Sequence, residues 1–204
     1  MFALDETTVL RRYRTPGKRC EPEALTMRRV HALGFPAPRV HSAKGPDMVL
    51  DLVHGPTMRE SVVAGTTTTE NGGRALADLH RRLHALPLPH GGGPDTVRHL
   101  DLHPDNVIMS PAGPVVIDWR NSDVGPPAMD VALTAVILAQ VALSPRPDAS
   151  AARGILSAYL AAVGPLCTSG LDQAIGYRSA DRNASSAELD LLREVAEMLA
   201  TEAR

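Results

Sequence analysis

The residues best suited to chemistry are an aspartate, an asparagine five positions later and a second aspartate that ends an apolar strand. They are Asp101, Asn106 and Asp118. In a phosphoryl-transfer site, one carboxylate accepts the proton of the attacking hydroxyl. An amide oxygen and another carboxylate hold the magnesium ion that bridges the nucleotide phosphates. The spacing therefore predicts a phosphoryl-transfer site that uses a nucleotide and Mg²⁺.

The segment His99–Asn106 reads His-x-Asp-x-x-x-x-Asn, and a strand ending in Asp118 follows it. This is the order in which kinases carry their catalytic loop and their metal-binding loop. A simpler interpretation is a loop with an Asx-turn followed by an unrelated carboxylate at a strand end. Because three residues are in register, the functional interpretation is favoured.

The overall composition is that of an ordinary globular chain. With 204 residues it can form one large domain or two small lobes. The formal net charge of −2 gives no electrostatic reason to expect nucleic acid or a membrane surface as a partner. The longest apolar run, Val131–Leu143, is too short to span a bilayer and predicts a buried helix.

Cysteine usage and the N-terminal residues bear on the compartment. The two cysteines, Cys20 and Cys167, supply neither a disulfide framework nor a metal-ligand set. The first ten residues lack the basic and apolar regions of an export signal. A cytoplasmic location is therefore expected.

The pattern along the chain predicts an α+β protein with two parts. Strands are expected at Thr8–Tyr13 and Asp47–Val53, with a helix at Glu23–Leu33 between them and a hinge at His54–Pro56. Beyond the hinge, a first helix is expected after the polar run Gly65–Thr69. Further helices are expected at Val131–Leu143, Ala151–Val163 and Ala187–Ala203, and the segment around Gly170–Gly176 is expected to be broken. We expect residues 1–53 to form a small N-terminal lobe and residues 54–204 a mainly helical C-terminal lobe that carries the chemistry.

Several stretches together resemble a known family. They are Glu23–Leu25, Gly34–Val40, the hinge His54–Pro56, Leu79–Pro87, His99–Val107, Ile117–Trp119 and Gly125–Ala132. In order and spacing they are similar to the aminoglycoside phosphotransferase and choline kinase-like family, a branch of the protein-kinase-like fold. The resemblance implies a two-lobe fold and ATP- or GTP-dependent phosphorylation of a hydroxyl on a small polar molecule, which is an antibiotic or a metabolite.

The resemblance also implies roles for residues of the two central loops. Asp101 would be the catalytic base, and His103 would donate a hydrogen bond to the transferred phosphate. Asn106 and Asp118 would ligate Mg²⁺, which prefers oxygen donors. His99 matches a position that braces the catalytic loop. Asp130 matches another such position.

In the N-terminal part the resemblance implies nucleotide contacts. Arg11, paired with Glu23, would stand where these folds carry a phosphate-binding lysine, although arginine and lysine are not interchangeable. Glu23 could instead be an acid favoured by the dipole in the first turn of its helix. Backbone groups of Asp51, Leu52 and Val53 would meet the adenine.

The N-terminal lobe departs from the family pattern. Only seven residues precede the strand Thr8–Tyr13, and no glycine occurs before Gly17. We therefore expect this chain to lack the two strands and the glycine-rich loop that cover the phosphates in kinases. Weak water exclusion and weak nucleotide affinity would follow, so an inactive or weakly active kinase-like protein that binds a nucleotide or a metabolite is the alternative. Exposed apolar surface in such a lobe would favour a homo-oligomer.

Two histidines on one predicted helix raise a third hypothesis. His80 and His84 have the i, i+4 spacing that can chelate zinc, and with His99 and His103 they could form a zinc hydrolase site. Arg81 follows His80, where zinc proteases carry glutamate. Structural histidines are therefore favoured.

The substrate is left open by the sequence. A cationic aminoglycoside would need several acids close together in the C-terminal part. The acids available there are Asp148, Asp172, Asp181, Glu188 and Asp190. Their spacing does not show whether they converge.

Overall fold

The computed structural model describes residues 2–15, 17–88, 93–180 and 186–201. The strands are β1 (Phe2–Ala3), β2 (Thr8–Arg12), β3 (Val40–Lys44), β4 (Asp47–Asp51), β5 (Thr96–Arg98), β6 (Val107–Ser110), β7 (Gly113–Val116) and β8 (Asp123–Gly125). The helices are α1 (Glu21–Ala32), α2 (Met58–Val63), α3 (Thr69–His84), α4 (Pro127–Leu143), α5 (Ala149–Val163), α6 (Thr168–Ser179), α7 (Ser186–Asp190) and α8 (Leu192–Ala200).

The N-terminal part is an antiparallel sheet in the order β1-β2-β4-β3, with α1 packed beside it. Burial alternates along β4, where Met48 and Leu50 are buried, because successive side chains of a strand point to opposite faces. Met27 and Val30 of α1 are also buried, as the helical spacing of its apolar residues predicts. The predicted strands at Thr8 and Asp47 and the helix between them are therefore present.

The segment after β4 is pinned to β6. The backbone N–H of Met109 donates to the carbonyl of Pro56 at 2.8 Å. Gly55 has a φ of 143°, and a Cβ there would lie 2.4 Å from the Met109 carbonyl oxygen. Only glycine fits this backbone conformation and this close approach. The predicted hinge residues thus lie where the sheet meets the rest of the chain.

The C-terminal part is built around α4. Eleven of the 17 residues of α4 are buried, and α5, α6 and α8 pack against it. The helix α3 packs against α5, where Gly73 allows close approach: a Cβ at this position would lie 2.6 Å from the Ile155 carbonyl oxygen. Among the described residues, no helix is both long and apolar enough to cross a membrane.

Short β-ladders connect these two parts. The strand β5 pairs with β8, and β6 pairs with β7, both antiparallel. One-turn 3₁₀ helices at Pro104–Asn106 and Trp119–Asn121 follow the segments that contain Asp101 and Asp118. The chemistry predicted from the sequence therefore lies on short, irregular backbone between the sheet and the helices.

Some element predictions need correction. The segment around Gly170–Gly176 was expected to be broken but is the continuous helix α6. Gly170 is needed there for packing, since a Cβ would lie 2.7 Å from the Ala128 carbonyl oxygen. The helix expected at Ala187–Ala203 is two shorter helices, α7 and α8, and its last two positions lie outside the described residues.

One helix was missed, although the sequence carried a signal for it. At the start of α2, the hydroxyl of Thr57 accepts from the Glu60 N–H, while the Glu60 carboxylate accepts from the Thr57 N–H. This capping box satisfies two backbone donors that the helix leaves unpaired. The Thr-x-x-Glu spacing was visible in the sequence, but the helix is only six residues long.

Candidate active site

The backbone before Asp101 is held in an unusual conformation. Leu100 has a φ of 58°, which costs a non-glycine residue about 1–3 kcal/mol. Asp130 offsets this cost: its Oδ1 accepts from the Leu100 N–H at 2.8 Å, and its Oδ2 accepts from the His99 N–H at 3.0 Å. The predicted brace between Asp130 and the catalytic loop is thus a pair of side-chain to backbone hydrogen bonds.

Two histidines hold Asp130 from the other side. Nε2 of His84 lies 2.9 Å from Asp130 Oδ2, and Nδ1 of His80 lies 3.5 Å from the same atom. Burial alone would raise the pKa of Asp130, but hydrogen bonds and charge from His80 and His84 hold it well below its usual range. Asp130 is therefore a buried carboxylate in the folded protein.

A threonine that the sequence analysis did not single out extends this cluster to the loop. The Thr134 hydroxyl donates to the Leu102 carbonyl at 2.6 Å, and a carbonyl can only accept. Thr134 Oγ1 must therefore accept the hydrogen bond from His80 Nε2 at 2.9 Å. The signal was a polar residue inside the apolar run 131–143. The loop is thus held on both sides of Asp101.

Asp101, His103 and Asn106 lie together on this loop. Nδ2 of Asn106 donates to the Asp101 carbonyl at 2.8 Å, and it lies 3.2 Å from His103 Nε2. His103 Nε2 is 3.6 Å from Asp101 Oδ1. Both of these Asn106 contacts use the amide nitrogen, so the amide oxygen is the group suited to a cation. The side chains of Asp101 and His103 are about one-quarter and one-fifth exposed (25% and 21%) and so can reach a substrate.

Asp118 is joined to this loop through its neighbour. The Ile117 N–H donates to the Asn106 carbonyl at 2.9 Å, which places Asp118 next to the loop. Asp118 itself has a φ of 62°, a second strained position in the same small region. The structure thus brings Asp101, Asn106 and Asp118 together, and their proposed roles in catalysis and metal binding remain predictions.

Arg11 connects the sheet to Asp118. Its Nη2 lies 2.7 Å from Asp118 Oδ1, and its Nη1 lies 2.5 Å from Glu23 Oε1. Burial alone would raise the pKa of Asp118, but the charge and hydrogen bond of Arg11 hold it below its usual value. Burial raises the pKa of Glu23 despite Arg11 and a hydrogen bond from Tyr13. The predicted ion pair between Arg11 and Glu23 is present. The second ion pair of Arg11, with Asp118, was not predicted from the sequence.

A cleft of about 640 Å³ opens at Asp118; we call it the Asp118 cleft. Val9 and Leu50 of the sheet, with Ile108 and Ile117 from the other side, give it apolar walls. The predicted adenine-binding residues Asp51, Leu52 and Val53 also line it. This volume and lining are those of a small-molecule binding site.

The backbone bonds of these three residues differ. The Asp51 N–H donates to the Arg39 carbonyl at 3.0 Å, and the Leu52 N–H donates to the Thr7 carbonyl at 2.7 Å. The Asp51 carboxylate pairs with His41 at 2.7 Å. Within the described part of the chain, the Val53 N–H has no backbone acceptor. Val53 is therefore the residue of the three with a donor to offer a ligand.

A second cleft of about 700 Å³, which we call the Asp101 cleft, contains the proposed base. Its walls include Leu133, Ile137 and Tyr177, together with basic side chains. Of the acids considered for a cationic substrate, Asp148 pairs with Arg146, and neither it nor Asp172 or Asp190 lines this cleft. Asp181 and the side chain of Glu188 lie outside the described residues.

The zinc hypothesis needs a different set of residues from the one predicted. Within the described ranges, the group with ligand atoms all within 4.8 Å of one another is His80, His84 and Asp130. His99 and His103 are not part of it. His80 and Asp130 are 2% and 1% exposed, which leaves no access for a hydrolysis substrate. Asp130 also already accepts two backbone N–H bonds.

Comparison with known proteins supports the resemblance. The sequence profile of the phosphotransferase enzyme family matches residues 69–171, which is half of the chain. A curated relative is the EKC/KEOPS complex subunit BUD32 of Encephalitozoon cuniculi, 36% identical over 76 residues. The match spans 36% of this chain and 36% of that relative, well under two thirds of its length.

Solved structures show the same fold. Plasmodium vivax ethanolamine kinase superimposes with a TM-score of 0.62 at 11% identity, over 96% of this chain and 77% of that one. Aminoglycoside phosphotransferase APH(3'')-Id from Streptomyces rimosus gives 0.61 at 16% identity, over 94% and 87%. A choline/ethanolamine kinase family protein from Mesorhizobium loti gives 0.57 at 15%, over 95% and 82%. The chain therefore belongs to the phosphotransferase enzyme family and has its protein-kinase-like fold.

Proposed function

We propose that the protein transfers a phosphoryl group from ATP to a hydroxyl of a small polar molecule. The observation that carries this proposal is the convergence of Asp101, Asn106 and Asp118, linked by the Asn106 bonds to the Asp101 carbonyl and to the Ile117 N–H. Asp101 lines one cleft and Asp118 the other. A donor and an acceptor bound in these clefts would meet between the two carboxylates.

In this proposal each side chain has one task. Asp101 accepts the proton of the acceptor hydroxyl. His103, whose Nε2 lies 3.6 Å from Asp101 Oδ1, donates a hydrogen bond to the transferred phosphate. The Asn106 amide oxygen and the Asp118 carboxylate would hold Mg²⁺, and the donor set fits, because this ion prefers oxygen ligands. When bound, the ion neutralises charge on the phosphates.

The nucleotide base would lie in the Asp118 cleft. The apolar side chains that line this cleft suit the faces of a purine, and the Val53 N–H, which has no backbone acceptor among the described residues, suits its polar edge. The sheet of residues 1–53 and the helical residues 54–204 would then act as two lobes around the nucleotide. GTP is an alternative donor, since no observed contact selects the base.

Arg11 must change partners in this reaction. In the structure it occupies Asp118 Oδ1, which is one of the two oxygens a cation would use. Bound phosphates would attract the guanidinium and release that oxygen, while the bond to Glu23 keeps Arg11 near the cleft. If Arg11 instead stays on Asp118, the ion pair between them would keep the cation site closed. That outcome would support the second candidate, a nucleotide-binding protein without turnover.

Two measurements test the proposal. A thermal-shift titration with ATP and Mg²⁺ detects binding, and a radiolabelled-phosphate transfer screen across small hydroxyl compounds detects turnover. The variant Asp101→Asn should lose about 10²–10⁴-fold in transfer rate, as expected for a lost general base. The control is Asp78→Asn, a half-exposed acid on α3 outside both clefts. Wild-type transfer by Asp101→Asn would reject Asp101 as the base, and binding without transfer by the wild type would favour the second candidate.

Self-association is a further proposal. Phe2 and Leu4 at the edge of the sheet are 62% and 54% exposed, and Leu25 of α1 is 70% exposed. Exposed apolar side chains near an edge strand favour contact with a second copy. Gel filtration with light scattering measures the mass, and a monomer at all concentrations contradicts the expectation.

A further inference from the structure

We infer that Lys18 and Arg120 form a cationic pair that binds the terminal phosphate of the nucleotide where the two clefts meet. The inference rests on the function proposed above and adds two residues to its site. Neither belongs to the catalytic loop or to the predicted metal ligands.

The position of the pair is the first argument. Of the described residues, Thr15, Lys18 and Arg120 are those that line both the Asp118 cleft and the Asp101 cleft. A phosphoryl group moving from a donor in one cleft to an acceptor in the other must pass the residues that the clefts share. Two of these three residues carry a positive charge.

Separate elements hold the two cations at this point. Lys18 lies in the turn after β2, where its N–H donates to the Thr15 carbonyl at 3.2 Å. Arg120 lies in the 3₁₀ turn two residues after Asp118, and this turn is closed by the Ser122 N–H on the Trp119 carbonyl at 3.0 Å. Lys18 therefore reaches the region shared by the two clefts from the sheet, and Arg120 reaches it from the segment that follows Asp118.

The charge balance is the second argument. Two of the three other arginines of the Asp118 cleft are already paired: Arg11 with Glu23 and Asp118, and Arg12 with Asp47 at 2.6 Å. The third, Arg14, does not line the Asp101 cleft. In the part of the chain that the structure describes, no carboxylate lies within ion-pair distance of Lys18 or Arg120, although the charge of Arg120 lowers the pKa of Asp118 and of Glu23 from further away. A triphosphate brings several negative charges and would give both cations a close partner.

A simpler interpretation is that both are solvated surface cations, which are common. Solvated cations would raise the affinity for any anion slightly and without regard to phosphate number. A terminal-phosphate site predicts a dependence on the phosphate chain. The two interpretations therefore differ in how substitution affects ATP, ADP and AMP.

The test is calorimetric titration of ATP, ADP and AMP, with Mg²⁺ at fixed salt, into the wild type, Lys18→Met, Arg120→Met and the double variant. Each single variant should weaken ATP about tenfold, which is about 1.4 kcal/mol, and leave AMP unchanged. Arg120→Lys should recover part of the affinity. Arg19→Met is the matched control, because Arg19 follows Lys18 but pairs with Glu21 at 2.7 Å.

The outcomes separate this inference from the proposed function. If the wild type transfers phosphate but the variants keep its ATP affinity, or lose ATP and AMP affinity equally, the cationic pair is wrong and the function stands. If the wild type binds no nucleotide, both are wrong. Circular dichroism of the variants shows whether each one is folded before its affinity is interpreted.

Discussion

Asp118 and Asp130 are two carboxylates with lowered pKa values that lie beside the two ends of the loop 99–106, in very different surroundings. The side chain of Asp118 is 35% exposed and has one strong partner, Arg11. That of Asp130 is 1% exposed and accepts from two backbone N–H groups and pairs with His84 at 2.9 Å, while the His80 ring lies 3.5 Å away. Burial works against the charge of both, and nearby donors outweigh it.

The difference shows how one residue type serves two purposes. A half-exposed carboxylate with a single partner can exchange that partner for a ligand at little cost. A fully buried one cannot, because removing any of its donors leaves an unsatisfied charge in a low-dielectric site. We therefore assign ligand exchange to Asp118 and loop support to Asp130. The four predictions below test this division.

The largest expected effect is the loss of transfer in Asp118→Asn. An amide cannot replace the charge of the carboxylate at a metal, so transfer should fall about 10²–10⁴-fold, or about 3–5 kcal/mol. Steady-state transfer assays measure this, and urea unfolding should change by less than about 1 kcal/mol. Asp172→Asn, an exposed acid on α6, is the control. If this variant lost about 3–5 kcal/mol of unfolding free energy as well, Asp118 would support the loop as Asp130 does, and its assignment to ligand exchange would be wrong.

Substitution of the buried carboxylate, Asp130, should mainly lower the stability of the fold. Asp130→Asn keeps the shape but removes the charge that His80, His84 and two backbone N–H groups face. We expect the free energy of unfolding to fall by about 3 kcal/mol or more, measured by urea titration. Unchanged stability in this variant would contradict the assignment of loop support.

A smaller effect is expected from Thr134→Val, which has almost the same volume. Without the hydroxyl, the Leu102 carbonyl and His80 Nε2 lose their buried partner. The free energy of unfolding should fall by about 1–3 kcal/mol. Thr26→Val on α1 is the control, because the Thr26 hydroxyl makes a single long contact of 3.5 Å. Equal effects of the two substitutions would show that Thr134 does not support the loop.

The pH dependence sharpens the comparison further. Because the pKa of Asp130 is lowered on folding, the unfolded state binds its proton more readily. Its stabilising contribution is complete above the ordinary aspartate pKa of about 3.9 and is lost as the pH falls towards the lowered value. The difference in unfolding free energy between the wild type and Asp130→Asn should therefore shrink from pH 6 to pH 3. A constant difference would mean that this carboxylate does not titrate as assigned.

Much of the fold was predictable because its signals are local. The helices α1 and α3 follow the spacing of their apolar residues, and α4 contains the apolar run 131–143. Thr68, in the predicted polar run, caps α3 by accepting from the Asn71 N–H at 3.1 Å. The continuity of α6 was not predictable, because Gly170 weakens a helix locally and is kept by packing on Ala128. The division at residues 53 and 54 remains a prediction.

The sequence by itself determined which residue types stand on the two central loops and in what order, since a motif spans few residues. Only the tertiary structure decided their partners. Arg11 meets Asp118 across 107 positions, Asp130 meets Leu100 across 30, and His80 meets Thr134 across 54. Hydrogen bonds and ion pairs depend on distances of about 3 Å, and spacing along the chain carries no such information once the chain turns back on itself.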